Sequence, residues 1–154
     1  MIIVKNVQTE DIFEVKPTMF HDGTSQVWKL PLDGLRFAKI VWFFEHEGEL
    51  MHLNQLVFLL DNHEVNILEI YVPYLPYARQ DKEISNQTTF ALTPFLASLP
   101  KSINWTTLDA HNPVAAGMFR QYSPQRDIER AIKDSGATIL VFPDAGALKR
   151  YQSL

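Results

Sequence analysis

The sequence predicts an α/β fold, a mostly parallel sheet flanked by helices. Three observations carry that expectation. Residues 37–72 read as strand, helix, strand, the order of a parallel crossover unit. The same alternation returns further along, to residue 142. The strand candidates are short apolar runs rich in β-branched and aromatic residues, as buried parallel strands are.

Taken in order, Ile2 to Val4 is a short β-prone start. Asp11 to Phe20 and Gln26 to Leu30 are expected as strands around a turn at His21-Asp22-Gly23, where Asp and Gly supply the turn chemistry. Phe37 to Phe44 is the first buried strand. Gly48 to Asn62 is a helix, because Leu50, Leu53, Leu56, Val57 and Leu60 recur at three- and four-residue steps and form one apolar stripe. Asn66 to Val72 returns to strand character and stops at Pro73. Thr93-Pro94 is expected to open a second helix, with Thr as cap and Pro in the first turn. Ile103 to Leu108 is the next strand, and Ser123-Pro124 begins a third helix that runs towards Asp134, with Gly136 just past its end. Thr138 to Phe142 is the last expected strand.

Composition bounds the function. The 154 residues suit one domain, or one domain and the start of another, and 46% are hydrophobic, enough for a real core. The formal net charge of -4 argues against a general nucleic-acid binder. A local cluster of cations can still serve a small anionic ligand. With no cysteine, disulfides, thiolate metal sites and a cysteine nucleophile are excluded. No apolar run reaches membrane-span length, and the first residues lack a signal-peptide layout, so a cytoplasmic protein without a membrane partner is the expectation. There is no Gly-rich phosphate fingerprint, serine nucleophile elbow or zincin pattern.

Three polar clusters follow expected strands, at the sheet end where open α/β folds bind ligands. In Tyr77-Ala78-Arg79-Gln80-Asp81-Lys82, the cations can hold phosphate and Gln80 can read a base; a solvated loop is the alternative. Asp109 and His111 lie two apart, so on extended chain they converge on one metal or one proton; a hydrogen bond tying down a loop is the alternative. In Pro143-Asp144-Ala145-Gly146, Asp144 can hold Mg²⁺, or it can cap a helix at Ala147 to Tyr151. A fourth feature, Phe20-His21-Asp22-Gly23, offers a ring for base stacking or a core residue that ends a strand. His46, His52 and His63 lack metal-ligand spacing and receive no role.

In this order the clusters resemble the ribose-phosphate pyrophosphokinases (phosphoribosyl pyrophosphate synthetases). Val72-Pro73-Tyr74-Leu75-Pro76-Tyr77-Ala78-Arg79-Gln80-Asp81-Lys82 is similar to the family's proline-rich strand end and its Tyr-Ala-Arg-Gln-Asp segment. Asp109-Ala110-His111 resembles its Asp-X-His segment, and Pro143-Asp144-Ala145-Gly146 the segment that starts its second domain. Phe20-His21-Asp22-Gly23 resembles its loop that opens with Phe. The resemblance implies a phosphoribosyltransferase-like amino-terminal domain and an enzyme moving diphosphate from MgATP to ribose 5-phosphate. It implies ATP contacts from Arg79, Gln80 and Asp81, and from Phe20 and Asp22 of a neighbouring subunit in a homo-oligomer. It implies a catalytic role for His111, and metal and phosphate positioning by His111 and Asp144. The expected division is 1–137 as the ATP-binding domain and 138–154 as the beginning of a truncated second one, which leaves this chain incomplete alone. Thr24 stands where the family has an acidic residue, Pro94 interrupts a helix that relatives keep continuous, and the segment between Phe119 and Thr138 is short. A non-catalytic, regulatory or assembly relative is the alternative.

Overall fold

A computed structural model describes residues 1–112 and 116–152. The described chain forms two compact units, Met1–Gln121 and Tyr122–Leu154.

The first unit is built on a mixed sheet. Its strands are β1 (Ile2–Asn6), β2 (Ile12–Val15), β5 (Phe37–Trp42), β6 (Asn66–Val72), β7 (Trp105–Leu108) and β8 (Phe119–Tyr122), in the order β2-β1-β5-β6-β7-β8. A short hairpin, β3 (Thr18–Met19) with β4 (Ser25–Gln26), stands apart from it. The central strands β5, β6 and β7 pair in parallel, while β1 runs antiparallel to both β2 and β5. The α/β class expected from the sequence is therefore borne out.

Parallel neighbours need long crossovers, and two helices supply them: α1 (Glu49–Asn62) between β5 and β6, and α2 (Leu92–Ser98) between β6 and β7. Right-handed crossovers stepping in one direction across a sheet lay their helices on one face. That face is apolar. Val4, Ala38, Ile40, Trp42, Ile70, Val72 and Trp105 are buried there in one cluster with Leu53, Leu56 and Leu60 of α1 and Phe95 of α2. Burial of each such aliphatic side chain stabilises by about 1.5–3 kcal/mol. The alternate positions mix apolar residues such as Val41 and Ile67 with polar ones: Lys39 pairs with Glu69 at 3.4 Å, and the Thr106 hydroxyl donates to Glu69 at 2.5 Å.

Several expectations need correction. The strand expected over Asp11 to Phe20 splits, because Pro17 has no N–H to give a ladder; β2 pairs with β1 and only Thr18–Met19 joins the hairpin. The strand expected over Gln26 to Leu30 is confined to its first residue, and Lys29 takes a left-handed φ of 55°. The turn between them forms as expected, with Gly23 at φ 83°. Thr93 is not the cap of α2. Ala91 holds that position without a side-chain bond, and Pro94 falls in the first turn, where helix N–H groups lack partners anyway.

The second unit contains α3 (Gln125–Ser135) and α4 (Ala145–Tyr151). Gly136 ends α3 at φ 66°, the expected left-handed cap. Thr138 to Phe142 forms no strand. A strand is held by its neighbour's N–H and C=O groups, none pairs with this run among the described residues, and Ile139 and Val141 are 80% and 79% exposed. No helix of the described residues is long and apolar enough to cross a membrane.

Two buried polar groups set stability predictions. Thr107 is fully buried, and its hydroxyl has no hydrogen-bond partner among the described residues. Thr107→Val should therefore raise stability by about 1 kcal/mol, read as a higher urea midpoint. On α1, His52 is buried with Nε2 at 2.8 Å from Ser25 Oγ and its ring edge-on to His46. Burial, then the neighbouring His46, pushes its imidazole below the ordinary histidine value. The unfolded chain thus takes up this proton at higher pH than the folded one. Stability should fall as pH drops below about 6.5, a slope that His52→Gln flattens in urea melts at a series of pH values.

Candidate functional site

Parallel pairing of β5, β6 and β7 brings the segments that follow Trp42, Val72 and Leu108 to one rim of the sheet. Two of the sequence clusters leave this rim, and the structure joins them. After β6 the chain folds through tight turns, with Ala78 N donating to Leu75 O at 3.4 Å and Gln80 N to Tyr77 O at 2.9 Å. Gln80 O then accepts from Leu92 N at 3.3 Å, which anchors the loop to the start of α2. Asp81 comes out buried, at 8% exposure, and accepts from Asn112 Nδ2 at 2.7 Å. That bond ties the Arg79-Gln80-Asp81 loop to the His111-Asn112 loop.

The hydrogen bond from Asn112 is the main reason the Asp81 carboxyl sits below the usual aspartate value; burial opposes it, and Lys82 and His111 assist. Arg79, Gln80 and His111 are exposed. The Arg79 guanidinium and the His111 ring make no hydrogen bond to the described residues, so both can meet a ligand. Asp81 is the anchor of the pair of loops, and its burial sets it apart from Arg79 and Gln80.

Strain marks both loops. Tyr77 and Asp109 have φ of 59° and 44°. Asp tolerates the left-handed region, but a bulky aromatic there is an outlier held by its surroundings. Tyr77 is held by rings: Phe95 at 5.2 Å and Phe44 at 6.5 Å between centroids. The bend at Asp109 also overturns the reasoning that placed Asp109 and His111 on one side of an extended chain, because extension ends at Leu108. The loop is instead fixed by β8, where Gln121 Oε1 accepts from Ala110 N at 3.2 Å.

The other sequence candidates belong to other elements. Phe20 and Asp22 occupy the turn between β3 and β4, and Phe20 is 44% exposed rather than part of the core. Asp22 Oδ1 accepts from Thr24 N at 2.9 Å and Thr24 Oγ1 at 2.7 Å, and the hydroxyl bond leads in lowering its carboxyl. Asp144 belongs to the second unit, where it caps α4 by accepting from Ala147 N at 2.7 Å. Gly146 serves this cap, since a Cβ there would meet Asp144 Oδ1 at 3.1 Å.

Three features went unseen in the sequence. Asn112 follows His111 directly, yet only the fold shows that it reaches Asp81. Gln121 lies on β8, a strand whose sequence Phe-Arg-Gln-Tyr carries little β pattern. Glu47, which accepts from the Tyr77 hydroxyl, carries no motif at all. Among the described residues no three His, Asp or Glu side chains gather as a metal cage.

No protein-family profile matches the chain, and no curated protein sequence matches it. Among solved structures it is similar to the crystal structure of phosphoribosylpyrophosphate synthetase from Mycobacterium smegmatis, with a TM-score of 0.58 and 18% sequence identity. The match covers 79% of this chain and 43% of that one, so the chain spans less than half of that enzyme's length. At this identity the likeness is one of fold.

The loop junction is testable by titration. Asn112→Ala should raise the Asp81 carboxyl towards the ordinary value of about 3.9, as followed by NMR of the side-chain carbon. Since the folded value is depressed, Asp81 contributes stability above that pH and loses it as pH falls through the folded value. Asn112→Ala should accordingly unfold less steeply with acid.

Proposed function

We propose that this chain is the ATP-holding part of a ribose-phosphate diphosphokinase. In the reaction the 1-hydroxyl oxygen of ribose 5-phosphate bonds to the β-phosphorus of ATP. The bond from that phosphorus to the α–β bridging oxygen breaks, AMP leaves with the oxygen, and the hydroxyl proton is released. The products are phosphoribosyl pyrophosphate and AMP.

The observation that carries this reading is the Asp81–Asn112 bond, which gathers the Arg79-Gln80 loop and the His111 loop at the carboxyl rim of an α/β sheet. In this reading Arg79 pairs with phosphate oxygens through its planar fork, and Gln80 exchanges hydrogen bonds with the nucleotide. His111 positions the phosphates on which the reaction takes place. Diphosphate transfer depends on positioning and charge neutralisation, so no covalent nucleophile is required.

In this reading a magnesium ion travels with the nucleotide. Such an ion takes only one or two protein side chains, the rest of its shell being phosphate oxygens and water. His111 and Asp144 are the side chains assigned to it here, Asp144 with its Oδ1 already accepting from Ala147 N. When bound, the ion neutralises the phosphate charge that builds during transfer. Residues 1–137 form the ATP-binding domain in this reading, and 138–154 are the beginning of a second one. Phe20 and Asp22 contact the adenine bound to a neighbouring copy, which makes a homo-oligomer the working form.

A second reading is a nucleotide-binding regulatory or assembly subunit without the reaction. One observation favours it: Thr24 stands in the acidic position of the turn and engages Asp22 through both its N–H and its hydroxyl.

Calorimetry with MgATP tests the proposal. The chain should bind, and Arg79→Ala should weaken binding about tenfold or more, the cost of one charge-assisted phosphate contact. Failure of the parent chain to bind MgATP, or equal affinity in Arg79→Ala and His111→Ala, rejects it. Mixing the chain with an active synthetase separates the two readings: altered rate or assembly supports the regulatory one.

A further inference from the structure

Beside the polar loops lies a site of different character. A cavity of about 370 Å³ opens between the segment after β5 and the start of α2. Phe44, Tyr77 and Phe95 supply its rings, Leu50 adds an aliphatic wall, and Glu47 and Ser98 are its polar side chains. Its volume is in the lower part of the range for small-molecule pockets, about 300–1,000 Å³. All of its lining residues belong to the first unit.

Two observations say what it accepts. Among the described residues no cation lines it, so a phosphate finds no counter-charge there. The exposed Glu47 carboxylate lines it without an ion-pair partner among the described residues; Oε1 accepts from the Tyr77 hydroxyl, while Oε2 makes no hydrogen bond. That hydrogen bond, ahead of burial and the Glu47 charge, pushes the Tyr77 phenol up, so the hydroxyl keeps its proton and Glu47 stays an acceptor. Apolar rings with one anionic acceptor suit a flat ring that carries N–H donors. The rings are also pre-set, because packing on Phe95 holds Tyr77 at a left-handed φ.

We propose that this cavity is a binding slot for an amino-bearing planar heterocycle, a purine-type base whose exocyclic amine donates to Glu47 Oε2 while its ring packs among Phe44, Tyr77 and Phe95. The slot is separate from Arg79, Gln80, Phe20 and Asp22, and it goes beyond the diphosphate-transfer reading without resting on it. It lets the chain hold a base with no phosphate attached.

Adenosine and purine riboside, which lacks the amine, are the probes, followed by NMR shifts and calorimetry on the whole chain. Adenosine should shift resonances of Tyr77, Phe95 and Ala91 and bind about tenfold tighter than purine riboside, the worth of one charge-assisted bond. Glu47→Ala, a change at an exposed side chain, should abolish that preference. Ala91→Trp, which places an indole on the slot wall, should remove binding of both. Equal affinity for the two nucleosides in the parent, no binding of either, or a preference that survives Glu47→Ala overturns the slot. So does a shift of slot resonances with protein concentration alone, which would assign the cavity to a second copy. Adenosine carries no phosphate for Arg79, so this test and the MgATP test fail independently.

Discussion

Two parallel strands cannot be joined by a tight turn. Each step from β5 to β6 to β7 must carry the chain back along the sheet, and α1 and α2 do this over one apolar face. The consequence is that every segment following a parallel strand begins at the same rim. Glu47 after β5, Arg79 and Asp81 after β6, and His111 and Asn112 after β7 are far apart in sequence, yet their strands stand side by side. The polar junction and the aromatic slot both follow from that pairing, and the pairing depends on the core of Ile40, Trp42, Ile70, Leu53 and Leu56.

The rim is built by over-determination. Tyr77 pays for a left-handed backbone, and three independent constraints hold it: ring packing on Phe44 and Phe95, the hydroxyl bond to Glu47, and the turn that ends at Gln80. The strain is placed two residues before Arg79, so the packing that fixes the Tyr77 ring also fixes the path of the backbone into the cationic segment. On the neighbouring loop, Gln121 and the Asp81–Asn112 bond do the same for Asp109 to Asn112. A site held this way arrives at its ligand already ordered, which lowers the entropic cost of binding.

What the sequence made legible follows the strength of local signals. The leucine stripe of 50–60, the strand ending at Pro73 and the Gly136 cap each carry a signal inside a few residues, and the elements formed within one or two residues of expectation. The loops at the rim were singled out in the sequence by Arg79, Gln80 and His111. Their junction was not, since Asn112 and Asp81 are 31 residues apart and only strand pairing sets their distance. Thr138 to Phe142 shows the opposite failure. Its apolar, β-branched run has the local propensity of a strand, but propensity without a neighbouring ladder makes no strand. Thr93 failed as a cap because the helix begins at Leu92, two residues earlier than a cap at Thr93 requires.

Polar and apolar surfaces lie side by side along one rim, and the two proposals assign each its own ligand chemistry. Arg79 and His111 sit on loops tied by a buried carboxylate, whereas the slot beside them has aromatic walls, one acceptor and no cation. An acidic protein gains from this division. With a net charge of -4, long-range attraction for a polyanion is weak, so in the proposed reading phosphate is recognised by short-range contacts at the guanidinium and imidazole groups. A flat base needs the reverse: dry rings and a single hydrogen-bond acceptor, which phosphate charge would disfavour. Placing Tyr77 on the wall of the slot and Arg79 two residues further along gives each demand its own surface on one short, strained stretch of backbone. Any change that relaxes Tyr77 therefore acts on both surfaces at once, and Glu47, which accepts from the Tyr77 hydroxyl, is one of the contacts that hold it.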